Sequence, residues 1–266
     1  MISMIFFSVL GETRMRLSQD LLADFTLDVW LLARFYGAAR DGRSWERAVT
    51  GLLHRPGFTR RQGPGTLSLF GLNSYSRVSH EIDGAASSLG GSLVLECKAS
   101  EGGITKADAA LFHFKIMDFY RENIQMTSRE KWWPLLCGSD VTSFSGRASA
   151  ISLGLLICDP GRLPLPVLVR AAGLPMADIY LPQILLQEIV RLGERALLSL
   201  QARWRYRAQY REICFDAGDW KKNEIHDLLW LEDELSCSLL EWFDRHRPGV
   251  LEERAMKLLN WAKKAA

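Results

Sequence analysis

Asp83, Glu96 and Lys98 are the residues of this chain whose types and spacing could do chemistry together. Glu96-Cys97-Lys98 closes the apolar run Leu93-Val94-Leu95, and Asp83 closes a shorter run that begins at His80. Both runs read as strands, with a Gly/Ser turn from Ala85 to Ser92 between them. A strand turns successive side chains to opposite faces, so Glu96 and Lys98 share one face while Leu95 and Cys97 take the other. If the two strands pair as a hairpin, Asp83 sits beside Glu96, and Lys98 lies one pleat on, roughly 6.5 Å further along. Two carboxylates converging beside one ammonium suit metal-assisted phosphodiester hydrolysis. The acids can hold a hard cation such as Mg²⁺, with Mn²⁺ as a substitute. The ion lowers the pKa of a bound water and neutralises charge on the phosphate. Nearby acids oppose the pKa lowering that a lysine base needs, so electrostatic stabilisation is the expected role of Lys98.

Such a hairpin needs elements to hold it. Ser18 can cap a helix running to about Arg40, with Leu21, Leu22, Phe25, Val29 and Leu32 at helical spacing. Asp41-Gly42-Arg43 breaks it, and Ser44 can cap a second helix, Trp45 to His54, that Pro56-Gly57 ends. Thr59 to Gly65 reads as a basic, Gly-rich loop, and Thr66 to Leu72 as a first strand. After the hairpin, Thr105 and Asp108 give a capping-box signal for a helix to about Glu122, with Leu111, Phe114, Met117 and Phe119 inward. Trp132 to Gly138 is a strand, Ser143 opens a small helix, Leu155 to Cys158 is a buried strand, and Leu165 to Ala172 is a short helix. Beyond Pro175 strand signals vanish: Ala177 to Glu212, Trp220 to His246, and a last helix from Pro248 to about Lys264 are helical patterns. The resulting class is α/β: a mixed central sheet flanked by helices, with an all-helical C-terminal extension. Three regions follow: a helical lead-in over 1–43, a core over 44–174, and the extension over 175–266.

The bulk composition sets limits. With 266 residues, 48% hydrophobic and 24% charged, the chain can bury a substantial core. A net charge of +2 neither announces nor excludes a nucleic-acid partner, because a local patch decides that. Five dispersed cysteines, without a C-x-x-C pair, point to reduced thiols and a cytoplasmic setting. Met1 to Leu10 is apolar but too short to span a bilayer; it reads as an extra strand or tail, with Met15 as an alternative start. No membrane association is expected, and no Gly-rich phosphate loop precedes a helix.

Taken in order, residues 44 to 172 resemble the PD-(D/E)XK, or restriction-endonuclease-like, nuclease superfamily, and within it the Mrr-like branch. Ser44-Trp45-Glu46-Arg47-Ala48-Val49 with Leu52-Leu53 and Gly57-Phe58 is similar to that branch's opening helix. Glu81-Ile82-Asp83 and Glu96-Cys97-Lys98 are similar to its two catalytic strands, and Ile104 to Phe112 to the helix that follows. Phe144-Ser145, Ala148, Ala150 and Gly154 to Asp159 resemble its later helix–strand pair. The resemblance implies a restriction-endonuclease-like core acting as a Mg²⁺-dependent endodeoxyribonuclease in DNA restriction or defence. It assigns catalysis to Asp83, Glu96 and Lys98. It assigns the metal to Asp83, Glu96 and the backbone carbonyl of Cys97, with Glu46 as a further ligand, direct or through water.

DNA is the implied partner. Arg55, Arg60 and Arg61 form one candidate phosphate-tracking stretch, and Arg203 and Arg207, among interleaved aromatics, another. In the second stretch the arginines equally suit a solvated helix face. The C-terminal helices are expected to pack on the core, or to form a homodimer or a larger nuclease complex. Two alternatives stay open: a catalytically silent module of the same fold that binds DNA or a protein, and a subunit active only inside an assembly.

Overall fold

The computed structural model describes residues 20–37, 41–63, 74–88, 91–122, 132–172 and 222–265. The expected strand at Thr66 to Leu72, the helix at Ala177 to Glu212, Met1 to Leu10, Arg203 and Arg207 lie outside the described residues.

Helix α1 covers residues 20–36. Helix α2, Gly42–Gly51, continues into a 3₁₀ turn, Leu52–His54. Its cap is Asp41 rather than Ser44: the Asp41 carboxylate accepts from both the Ser44 amide and the Ser44 hydroxyl, each at 2.9 Å. The helix therefore starts inside the Asp-Gly pair that composition marks as a break. Trp45, Ala48, Val49, Leu52 and Leu53 are buried, as the helical spacing requires.

Strands β1 (Arg60–Gln62), β2 (Gly84–Ser88), β3 (Gly91–Lys98), β4 (Trp132–Gly138) and β5 (Leu156–Cys158) form one sheet in that order. The pairs β1/β2 and β2/β3 are antiparallel, whereas β3/β4 and β4/β5 are parallel. Helices α3 (Lys106–Glu122), α4 (Phe144–Ser152) and α5 (Leu165–Ala172) connect or follow the later strands. Helices α6 (Lys222–His246) and α7 (Val250–Ala265) complete the described chain. The protein is thus a mixed α/β structure, a five-stranded mixed sheet flanked by helices.

Three expectations on the antiparallel side need correction. The run from His80 to Asp83 precedes the strand, which begins at Gly84, because the ladder with β3 ends at the Gly84–Leu95 pair. Arg60–Gln62 is a strand, not loop, because it pairs with Ala85–Ser87. Ala85 to Ser88 and Ser92 are strand, not turn: Ser88 pairs with Gly91, so only residues 89 and 90 remain for the connection. Small residues lack the β-branched signature of strands. Here they serve close packing, and Ala85 and Ala86 are fully buried.

Alternate residues of β3 feed two separate cores. Leu93 and Leu95 join Trp133, Leu135 and Leu156 in the cluster that receives α1, α2 and the C-terminal helices. Val94 joins Leu136, Ile157 and the α3 residues Ala109, Phe112 and Ile116 on the other face. Burial on both faces explains why the parallel strands read as continuous apolar runs. It also corrects the orientation of α3. Ala109, Phe112, Ile116, Met117 and Phe119 point inward, while Leu111 and Phe114 are exposed.

The C-terminal helices are packed on this body. Leu228, Leu229, Leu235, Leu239, Ala255 and Leu259 share the α1/α2 core. Arg147 of α4, 1% exposed, donates to Asp159 at 2.8 Å and to Glu232 of α6 at 2.9 Å, both equally buried. Arg162 pairs with Asp233, and the Ser236 hydroxyl accepts from the Leu163 amide at 2.9 Å.

Candidate metal and phosphate site

Four elements meet at the C-terminal end of β3. Helix α2 brings Glu46, the lead into β2 brings Glu81 and Asp83, β3 brings Glu96 to Lys98, and α3 brings Asp108 and Lys115. The parallel strands β3 and β4 end here, and ligands of open α/β sheets gather at that edge. Helix α2 is pinned there by fully buried Trp45, whose indole N–H donates to the Cys137 carbonyl at 3.0 Å. Gly84 lets it come close: a Cβ at that position would stand 3.0 Å from Thr50 and 3.1 Å from Leu53.

Asp83 sits just past the last ladder pair, Gly84 with Leu95. Its carboxylate accepts from the Cys97 amide at 2.5 Å, taking the place a strand partner would have held. Burial pushes its carboxyl up, and the Glu96 and Glu46 carboxylates add to this. The Cys97 amide and Lys115 oppose the rise, and the balance lies at about 6. Glu46 is half-buried, and its pKa is raised by burial, then by Glu81 and Glu96. Glu96 is 3% exposed. The four acids therefore form one electrostatically coupled group, and the structure brings together Asp83, Glu96, Lys98 and Glu46.

Two ammonium groups answer them. Lys98 Nζ donates to Glu96 Oε1 at 2.9 Å and stands 4.0 Å from Asp108. Burial pulls its pKa down, but Glu96, Asp108 and Asp83 outweigh that, so it lies above the ordinary lysine value. Lys98 is thus a charged group, not a neutral base. Lys115 was not among the residues singled out from sequence. Its Nζ reaches both Glu96 oxygens, at 2.9 and 3.0 Å, and the Glu81 carbonyl at 2.9 Å. The available signal was its position seven residues after Asp108, on the same side of α3.

The donor set is all hard oxygen, which fits Mg²⁺ or Mn²⁺ and not a soft metal. Five carboxyl groups, Glu46, Glu81, Asp83, Glu96 and Asp108, meet two ammoniums there, a formal excess of negative charge that favours a divalent cation. Asp83, Glu96 and the Cys97 carbonyl would hold it, with Glu46 beside them. Among the described residues, no group of three or more His, Cys, Asp or Glu side chains is arranged to hold a metal ion.

Neighbouring groups have other work. Cys97 pairs in register with Cys137, and Cys137 with Cys158, a row of thiols across three strands. Contact with Cys137, then burial, raises the Cys97 thiol well above its usual value, so it is neither nucleophile nor thiolate ligand. Cys214 lies outside the described residues. His80 and Ser76 both bond the same Asp118 oxygen, at 2.6 and 2.5 Å. A serine bonded to the acid rather than to the imidazole is not activated; the trio ties the 74–80 segment to α3. Arg55 pairs with buried Asp28 at 2.5 Å, an acid that also accepts from Arg254 at 2.9 Å. Arg61 is exposed, and of Arg60 only the backbone, in β1, is described.

Comparison with protein-family models, with curated proteins and with solved structures returns no match. No described helix is long and apolar enough to cross a membrane.

Proposed function

We propose that this chain is a metal-dependent endodeoxyribonuclease with a restriction-endonuclease-like core of the Mrr-like branch, acting in DNA restriction or defence. The observation that carries the reading is the junction of β2 and β3. Asp83 is bonded to the Cys97 amide, next to the buried Glu96 with Lys98 on it. The element order, helix then β-β-β-α-β-α-β, supports the same reading.

In this mechanism Asp83, Glu96 and the Cys97 carbonyl would hold the ion, and Glu46 would add negative charge beside it. A bound divalent ion supplies Lewis acidity toward the scissile phosphate and the attacking water. The Cys97 amide fixes the Asp83 carboxylate, so little reorganisation is needed at the moment of reaction. Lys98, held protonated, stabilises charge as it builds on the phosphate oxygens. The attack is direct, without a covalent enzyme intermediate.

One observation favours a second reading. Glu96 is neutralised by two ammoniums, as in a fold that keeps its charges paired and only binds DNA or a protein partner. Incubation with supercoiled plasmid separates the two. The nuclease reading expects cleavage with Mg²⁺ or Mn²⁺ and none with EDTA. Lys98→Ala should slow cleavage by a few hundredfold, about 3–4 kcal/mol of transition-state stabilisation, with DNA affinity in Ca²⁺ nearly unchanged. Cleavage by Lys98→Ala at the wild-type rate would remove Glu96-Cys97-Lys98 as the catalytic strand, and no cleavage under any metal would favour the silent module.

A further inference from the structure

We propose that Lys115 is a resident cation of this site, which must leave Glu96 before a divalent ion can bind; the inference rests on the metal-centre reading above. The Lys115 ammonium has three donors, and it meets three oxygens: both of Glu96, at 2.9 and 3.0 Å, and the Glu81 carbonyl at 2.9 Å. An oxygen cage closed around one positive charge is what a metal ligand set looks like when a side chain fills it. Lys98 already occupies Glu96 Oε1, so with Lys115 in place Glu96 is bonded on both oxygens. A divalent ion on Glu96 would stand against the Lys115 ammonium, so the two positive charges compete for one carboxylate.

Lys115 has a way out. Its side chain is 13% exposed, and on the same helix Leu111 and Phe114 face solvent at 53% and 45%. The four-carbon stem can carry the charge from the cage to water without moving α3. Once it leaves, Lys98 is the remaining ammonium bonded to Glu96, with Asp83 and Asp108 also near it, and the local field favours a divalent ion more strongly. Lys115 thus keeps the acids compatible with one another in the metal-free protein, and it lowers metal affinity in doing so.

Calorimetric titration of the full chain with Ca²⁺ tests this. Lys115→Met should bind at least about tenfold more tightly than wild type, because a competing charge is gone. Lys115→Arg, which keeps the charge, should stay close to wild type. Equal or weaker binding by Lys115→Met, with wild type binding normally, overturns this inference and leaves the metal centre standing. Absence of Ca²⁺ binding by both proteins overturns the two together. A second measurement needs no variant: reductive methylation of wild-type lysines, read by peptide mass spectrometry. Saturating Ca²⁺ should raise Lys115 labelling several-fold over that of Lys257, an exposed lysine on α7. Unchanged labelling of Lys115 with Ca²⁺ bound overturns the proposal.

Discussion

At the residue scale, the strained group is Asp83. Its folded pKa of about 6 stands above the ordinary 3.8, with burial the largest cause. The sign is the reverse of a salt-bridged aspartate. The folded state holds this proton more tightly than the unfolded chain, so stability falls as pH rises from about 4 through about 6 and stays lowered above. Asp83→Asn keeps an oxygen for the Cys97 amide and removes the charge. In metal-free buffer it should stabilise the protein by on the order of 2 kcal/mol at pH about 8, and by almost nothing at pH about 4. Urea denaturation at the two pH values checks this; equal effects at both would show that the Asp83 charge is not strained. Addition of Ca²⁺ should reverse the order at the higher pH, since wild type then gains binding energy that the variant lacks.

At the element scale, legibility depended on how many partners an element has. The parallel strands and α4 were readable because apolar runs, caps and breakers agreed. Ser143 caps α4 as its type suggests, accepting from the Gly146 amide at 3.2 Å. The Thr105/Asp108 box closes in both directions, at 2.9 and 3.1 Å. The face of α3 was not readable. Ala109, Ala110, Leu111, Phe112, Phe114, Ile116 and Met117 make the helix apolar nearly all round, so periodicity does not choose between two faces about 100° apart. The sheet chose, and the choice set Lys115 against Glu96. The apolar packing of α6 was legible, but its polar anchor was hidden, because it joins residues far apart in sequence. Glu232→Ala would leave buried Arg147 with Asp159 alone. It should cost about 3 kcal/mol. Asp233→Ala, a partly exposed partner of Arg162, should cost under about 1 kcal/mol. Comparable losses in denaturant midpoint for the two variants would deny α6 its buried anchor.

At the scale of the whole molecule, the chain brings residues from α2, the lead into β2, β3 and α3 to the C-terminal end of β3, with the C-terminal helices packed on the α1/α2 core. The shared face of Glu96 and Lys98 was legible because strand alternation fixes it, whereas the bond from the Cys97 amide to Asp83, just outside the ladder, was not. Glu46 followed from the resemblance and from the helix that carries it. The pairing of Arg55 with Asp28, 27 residues away, was not legible, because a basic stretch in sequence gives no sign of a distant acid. The central claim is that Asp83 and Glu96 share one divalent ion. Crystals of the full chain soaked in Mn²⁺ and measured at the manganese edge test it most directly. The account predicts an anomalous peak about 2.1 Å from an oxygen of each carboxylate, the distance set by a small hard divalent ion. A peak bonded to only one of them, or none between them while Lys115 still holds Glu96 at saturating Mn²⁺, would contradict it.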